Sequence, residues 1–97
     1  MTSTFAVHAD RLDVVVAAEM AGLDRSTVLD TIERLDAAVA AIDGQGFTST
    51  PFGPQSAVAE AIGLDSAELW VKDETGNVSG SHKGRHLFGV ALGLALT

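Results

Sequence analysis

The sequence predicts an α/β chain, with a helical leader over residues 1–46 and the start of a second unit over 47–97. Three observations predict it. Val28, Ile32, Leu35, Val39 and Ile42 recur at alternating spacings of four and three, which places them on one helical face. Leu69–Asp73 is a short run with β-favouring Trp70 and Val71 at its centre. A small-residue loop, Glu74–Gly80, then leads into a mostly apolar helix containing Leu87, Phe88, Val90, Ala91, Leu94 and Ala95.

Taken in order, Asp10–Met20 is rich in Val and Ala and reads equally as a helix or a short buried strand. Gly22 interrupts it. Thr27 followed by Asp30 predicts a capping box at the start of the amphipathic helix. Gly44 and Gly46 end that helix. Residues 46–54 form a connector, in which Pro51 and Pro54 force extended geometry on Thr50 and Gly53. A short helix over about Gln55–Ile62 stops at Gly63, and Leu69–Asp73 follows as a single strand. Ser81 is the expected N-cap of the last helix.

The chain has 97 residues, enough for one small domain. Its formal net charge of -7 argues against a general nucleic-acid binder, which needs a basic face to meet phosphates. The absence of cysteine excludes disulfides, thiolate metal sites and a cysteine nucleophile. Met1–Asp10 lacks a basic region followed by an apolar core, and no apolar run reaches the roughly 18 residues of a membrane span. The default expectation is therefore a soluble cytoplasmic protein with no membrane partner. Two features predict either that the chain is the first part of a longer one or that a partner supplies the missing strands. A lone strand leaves its backbone groups unpaired, and the last helix stops at Thr97 without a capping glycine.

Chemistry concentrates between Leu69 and Gly93. Lys83, Arg85 and His86 crowd the first turn of a helix, where the dipole disfavours positive charge. That placement suits a nearby anion or carbonyl compound, because a helix start supplies free amides. It also suits a lysine that must be neutral to attack a carbonyl, with burial and neighbouring cations expected to lower its pKa.

Lys72-Asp73-Glu74 followed by Ser79-Gly80-Ser81-His82-Lys83 resembles the cofactor-lysine motif of the tryptophan-synthase-β-like, fold-type II enzymes that use pyridoxal 5'-phosphate (PLP). Threonine synthase and threonine dehydratase belong to that group. Thr50-Pro51-Phe52 resembles the Thr-Pro-Leu that precedes the motif. The likeness covers about Gly46–Gly93, roughly half of the chain. It implies that Lys83 is the catalytic residue, holding PLP as a Schiff base and moving protons at the substrate Cα. Ser81, His82 and Lys83 are the implied cofactor-binding residues, with His82 near the phosphate. It implies a lyase or synthase acting on a β- or γ-substituted amino acid, and a homodimer for the full-length enzyme. His82 in place of the commoner Phe, and Gly84 after the lysine, depart from the pattern. The asparagine at the cofactor ring, the glycine-rich phosphate loop and the Ser or Cys at the pyridine nitrogen would lie beyond Thr97. These 97 residues alone are therefore expected to be inactive.

Plainer readings accompany these. Lys83 by itself is an ordinary solvated lysine. His82 and His86 sit one helical turn apart, but without a third ligand no metal site is expected. Lys72, Asp73 and Glu74 read as a strand end with a solvated turn, and Arg85 as a structural or salt-bridge residue. Asn77-Val78-Ser79 is formally a glycosylation sequon. The competing function is a non-catalytic helical interaction module, left by truncation of such a gene.

Overall fold

The computed structural model describes residues 3–65 and 68–97, so the first two residues of the predicted leader lie outside it. In chain order the elements are α1 (Thr4–Val7), α2 (Asp13–Met20), α3 (Arg25–Asp43), β1 (Phe52–Pro54), α4 (Ser56–Ala61), β2 (Trp70–Lys72) and α5 (Lys83–Leu96). Single 3-10 turns cover Ala9–Arg11 and Val78–Gly80. The result is a small, helix-rich mixed domain, consistent with α/β content at that level.

The Val- and Ala-rich segment resolves as the helix α2. α3 is the longest element and starts two residues before the predicted capping box. Asp24 is its N-cap, in extended conformation. Arg25, the first helical residue, is held by Asp10 at 2.6 Å and Glu19 at 2.7 Å, so the helix begins there. The expected Thr27–Asp30 box does not form. The Thr27 carbonyl instead accepts from the Thr31 hydroxyl at 2.8 Å, and Asp30 pairs with Arg34 at 3.0 Å. Gly44 closes the helix at φ 91°, a left-handed conformation that favours glycine.

Val28 and Ile32 are fully buried, and Leu35 and Val39 pack against the core at its edge. Ile42 departs from the prediction and is 91% exposed. Val28, Leu35 and Ile42 follow a seven-residue repeat, which drifts by about 20° per heptad on a straight helix. By the last turn of α3 that drift has carried the stripe off the core. Asp36 is buried in the same half of the helix, where its carboxylate accepts the Phe47 amide at 3.0 Å.

The core joins both parts of the chain. Ala9, Val15, Ala18, Val28 and Ile32 meet Phe47, Val78, Phe88, Leu92 and Leu96. Phe5, partly buried, packs against it and completes an aromatic triad. Phe5 lies 5.0 Å from Phe47 and 4.4 Å from Phe88, and Phe47 and Phe88 are 4.7 Å apart. Offset and edge-on ring pairs of this kind add to simple burial.

The predicted strand is not alone. β2 pairs antiparallel with β1, with Phe52 opposite Lys72, Gly53 opposite Val71 and Pro54 opposite Trp70. The ladder is extended at both ends by Gln55 donating to the Leu69 carbonyl and Asp73 to that of Pro51, each at 2.9 Å. β1 was hidden because Pro and Gly fill most of it, and both are poor strand formers. The hairpin and α4 pack little on the helices and project as an arm. The radius of gyration is accordingly 16.6 Å, against roughly 13 Å for a compact chain of this length. No helix among the described residues is long and apolar enough to cross a membrane.

The two isoleucines of α3 should behave oppositely. Ile32→Ala is expected to cost about 2–4 kcal/mol by denaturant unfolding, as a cavity in the core. Ile42→Ala is expected to cost less than about 0.5 kcal/mol.

Candidate functional site

α5 begins where the chain emerges from a tight left-handed turn. Ser79 has φ 60° and Gly80 φ 66°. A non-glycine residue there costs on the order of 1 kcal/mol. The Ser79 amide is anchored by donation to the Asp43 carboxylate at 3.1 Å. Two residues on, the Ser81 hydroxyl accepts the Lys83 amide at 3.0 Å. Ser81 therefore does the work expected of a cap, although the helix proper starts at Lys83 after His82. Gly84 departs from the resembled pattern for a packing reason. A Cβ there would stand 3.1 Å from the Val78 carbonyl oxygen and 3.2 Å from Ser79 Oγ.

The first turn of α5 is held by a polar cluster that sequence reasoning missed. Glu74 is not in a solvated turn: its side chain is only 12% exposed. The Arg85 Nε donates to Glu74 Oε2 at 2.8 Å, and its Nη2 donates to the Thr48 carbonyl at 2.8 Å. The Thr50 hydroxyl donates to Glu74 Oε1, and the Lys72 ammonium donates to the Thr50 carbonyl. Asn77, fully buried, accepts the Thr48 amide at 3.3 Å and approaches Glu74 Oε2 at 3.5 Å through its own amide nitrogen. Arg85 is thus the salt-bridge residue expected of it. The signal for the cluster was its placement: a cation in the first turn of a helix needs an acid nearby, and Glu74 opens the loop that leads into that helix.

The charged groups respond accordingly. Arg85 foremost, then the Thr50 hydroxyl, holds the Glu74 carboxyl below the ordinary glutamate range. Asp73 is also lowered, by the hydroxyl and amide of Thr75.

Ser81, His82 and Lys83 are adjacent on the rim of the domain. Lys83 and His82 are exposed and Ser81 half-buried, so the expected burial of Lys83 is not found. Among the described residues no ion pair or hydrogen bond engages the Lys83 ammonium. Grooves open elsewhere on the surface. One of about 210 Å³ is lined by Ser3, Glu33, Asp36, Gly46, Phe47 and Thr48, and one of about 340 Å³ by Val14, Ala17, Ala18, Leu23, Gly93 and Leu96. Neither is lined by Ser81, His82 or Lys83. His82 and His86 are both exposed, and no cluster of three potential metal ligands forms among the described residues.

The structure does bring the two resembling segments together. Thr50-Pro51-Phe52 and Lys72-Asp73-Glu74 meet through the β1–β2 pairing and the Thr50 hydrogen bonds. At the start of α5 the exposed Lys83 stands on backbone capped by the Ser81 hydroxyl. No family model, curated protein or solved structure matches the chain.

Glu74 ties the site to pH. Its pKa is lower folded than unfolded, so the unfolded chain takes up this proton more readily. The stabilisation is complete above the ordinary glutamate value and is lost as the pH falls through the depressed one. Glu74→Gln should destabilise the neutral-pH fold by about 1–3 kcal/mol and flatten the acid limb of a stability-versus-pH curve. An unchanged acid limb would show that Glu74 is not the group responsible.

Proposed function

We propose that the chain supplies the cofactor-lysine segment of a PLP-dependent lyase or synthase acting on a β- or γ-substituted amino acid. One observation carries this reading. The two segments that resemble the fold-type II motif are joined in space, and the same cluster holds the helix whose first residue is Lys83, with its amine unpaired among the described residues.

When bound, PLP would supply an electron sink for charge developing at the substrate Cα. Lys83 would be the covalent attachment point and, once released, would hold and return the Cα proton. Ser81 fixes the backbone at Lys83 through its hydroxyl. His82, exposed beside it, would meet the phosphate. The walls of a cofactor site are not built by these residues, so turnover would require further protein. The reading goes with a cytoplasmic enzyme of the fold-type II class.

A second reading, an interaction module, is favoured by exposed apolar groups. Leu87, Val90 and Leu94 line the outside of α5, and Phe52 and Trp70 form an exposed ring pair 5.2 Å apart on the arm.

The chain has two lysines, Lys72 and Lys83, which makes the test clean. Incubation with PLP, borohydride reduction and peptide mapping should place a saturable label on Lys83 in clear excess over Lys72. Lys83→Ala should remove it together with the visible imine absorbance. Non-saturable labelling, or equal labelling of both lysines, would sink the cofactor reading and leave the interaction module.

A further inference from the structure

The cavity of about 210 Å³ lies where Ser3 and Phe47 meet α3, whose Glu33, Asp36, Ala37 and Ala40 face it. Both charged groups in its wall are acids, and among the described residues no Lys, Arg or His lines it. Ala37, Ala40 and the Phe47 ring make the rest of the wall largely apolar.

Asp36 is the unusual member. It is only 7% exposed, and its Oδ1 accepts the Phe47 amide at 3.0 Å. Its Oδ2 accepts no hydrogen bond among the described residues, yet it is not sealed off from the cavity. Neither Asp36 nor Glu33 forms an ion pair among those residues. A carboxylate so far removed from water ordinarily has a counter-charge. Glu33 is also under-used, because its two oxygens share the single Ser3 amide at 3.0 and 3.3 Å. Spaced three residues apart, the two acids lie on one face of α3. Gly46 keeps space beside them: a Cβ there would stand 3.0 Å from Asp36 Oδ1.

This wall suits one kind of guest. A metal ion needs more ligands, and no group of three potential metal ligands forms among the described residues. A protonated amine needs only carboxylate oxygens for its N–H donors, and the apolar wall receives its carbon chain. The volume is below the roughly 300–1,000 Å³ of sites for drug-sized ligands, so the guest is short. We propose that this cavity binds a small free alkylammonium ion. Its nitrogen donates to Asp36 Oδ2 and Glu33, and its carbon chain lies on Ala37, Ala40 and Phe47. The proposal goes beyond the cofactor reading and does not depend on it, since Ser81, His82 and Lys83 do not line this cavity.

An amide NMR titration of the intact chain with n-butylammonium chloride tests it, at pH 7 and constant ionic strength. PLP is left out because it condenses with amines. Saturable shifts of the Ser3 and Phe47 amides are expected, since these N–H groups donate to the two carboxylates. n-Butanol, similar in shape but uncharged, should bind about tenfold more weakly or worse. Asp36→Asn keeps an oxygen for the Phe47 amide and should weaken amine binding by about tenfold or more. Ala40→Leu fills the cavity, leaves both acids in place and should abolish the shifts; it decides the matter if Asp36→Asn fails to fold. Lys83→Ala should leave them unchanged. No saturable shift in the unaltered chain, equal shifts with sodium chloride, or undiminished binding to folded Ala40→Leu would overturn the proposal. Tighter binding of a lysine blocked at both ends would overturn the free-amine reading and assign the cavity to a lysine of a protein partner.

Discussion

Arg85 sits in the first turn of α5, where the helix dipole opposes it, and Glu74 with the Thr48 carbonyl removes that conflict. The pair does more than neutralise a charge. Thr48 and Thr50 belong to the connector after α3, Lys72 to β2, Asn77 to the loop, and Arg85 to α5. One carboxylate therefore fixes where four segments stand relative to one another. The aromatic triad lies one turn further along α5, at Phe88, and closes the same junction from its apolar side. Burial supplies cohesion there, and the polar cluster supplies register. An incompletely exposed ion pair of this kind is costly to break from one side, because the remaining charge loses its counter-ion in a partly dehydrated place.

Helices with strong periodicity were legible from residue types alone. α3 appears where Val28 and Ile32 point, and α5 over the apolar run around Phe88, although Leu87, Val90 and Leu94 of that run face outward and the buried Leu92 and Leu96 were not singled out. Local rules failed where distant contacts intervened. Thr27 and Asp30 have the composition of a capping box, but Arg25 reaches Asp10 and Glu19 and draws the helix start forward. β1 could not be seen because two of its three residues, Gly53 and Pro54, are poor strand formers; it is a strand because β2 lies beside it. Glu74 looked like a turn residue because its partners, Thr50 and Arg85, are 24 and 11 positions away. Motif residues Ser81, His82 and Lys83 were placed at a helix start as expected, whereas their exposure depends on what surrounds the helix and has no local signature.

Gly84 illustrates how a departure from a pattern can have a local cause. The left-handed turn at Ser79 and Gly80 brings the Val78 carbonyl so close to α5 that a side chain at 84 would crowd it by a few tenths of an ångström. The glycine weakens the helix start, and Ser81 and Arg85 restore it from either side through a hydroxyl cap and a guanidinium tether. Lys83 is held between these two supports, on backbone that is firmer than its exposed side chain suggests.

Asn77 has a consequence for the order of events in the life of the chain. It heads a sequon, yet its side chain is fully enclosed and its oxygen is committed to the Thr48 amide. A sugar would be linked to the amide nitrogen, which is enclosed with the rest of the side chain, so a sugar tree and this fold are mutually exclusive at Asn77. Were the chain routed through a glycosylating compartment, modification would have to win a race against closure of the loop. A molecule carrying the sugar would be one that lost the junction between connector, loop and last helix. Occupancy at Asn77 would therefore record folding history rather than mark a surface.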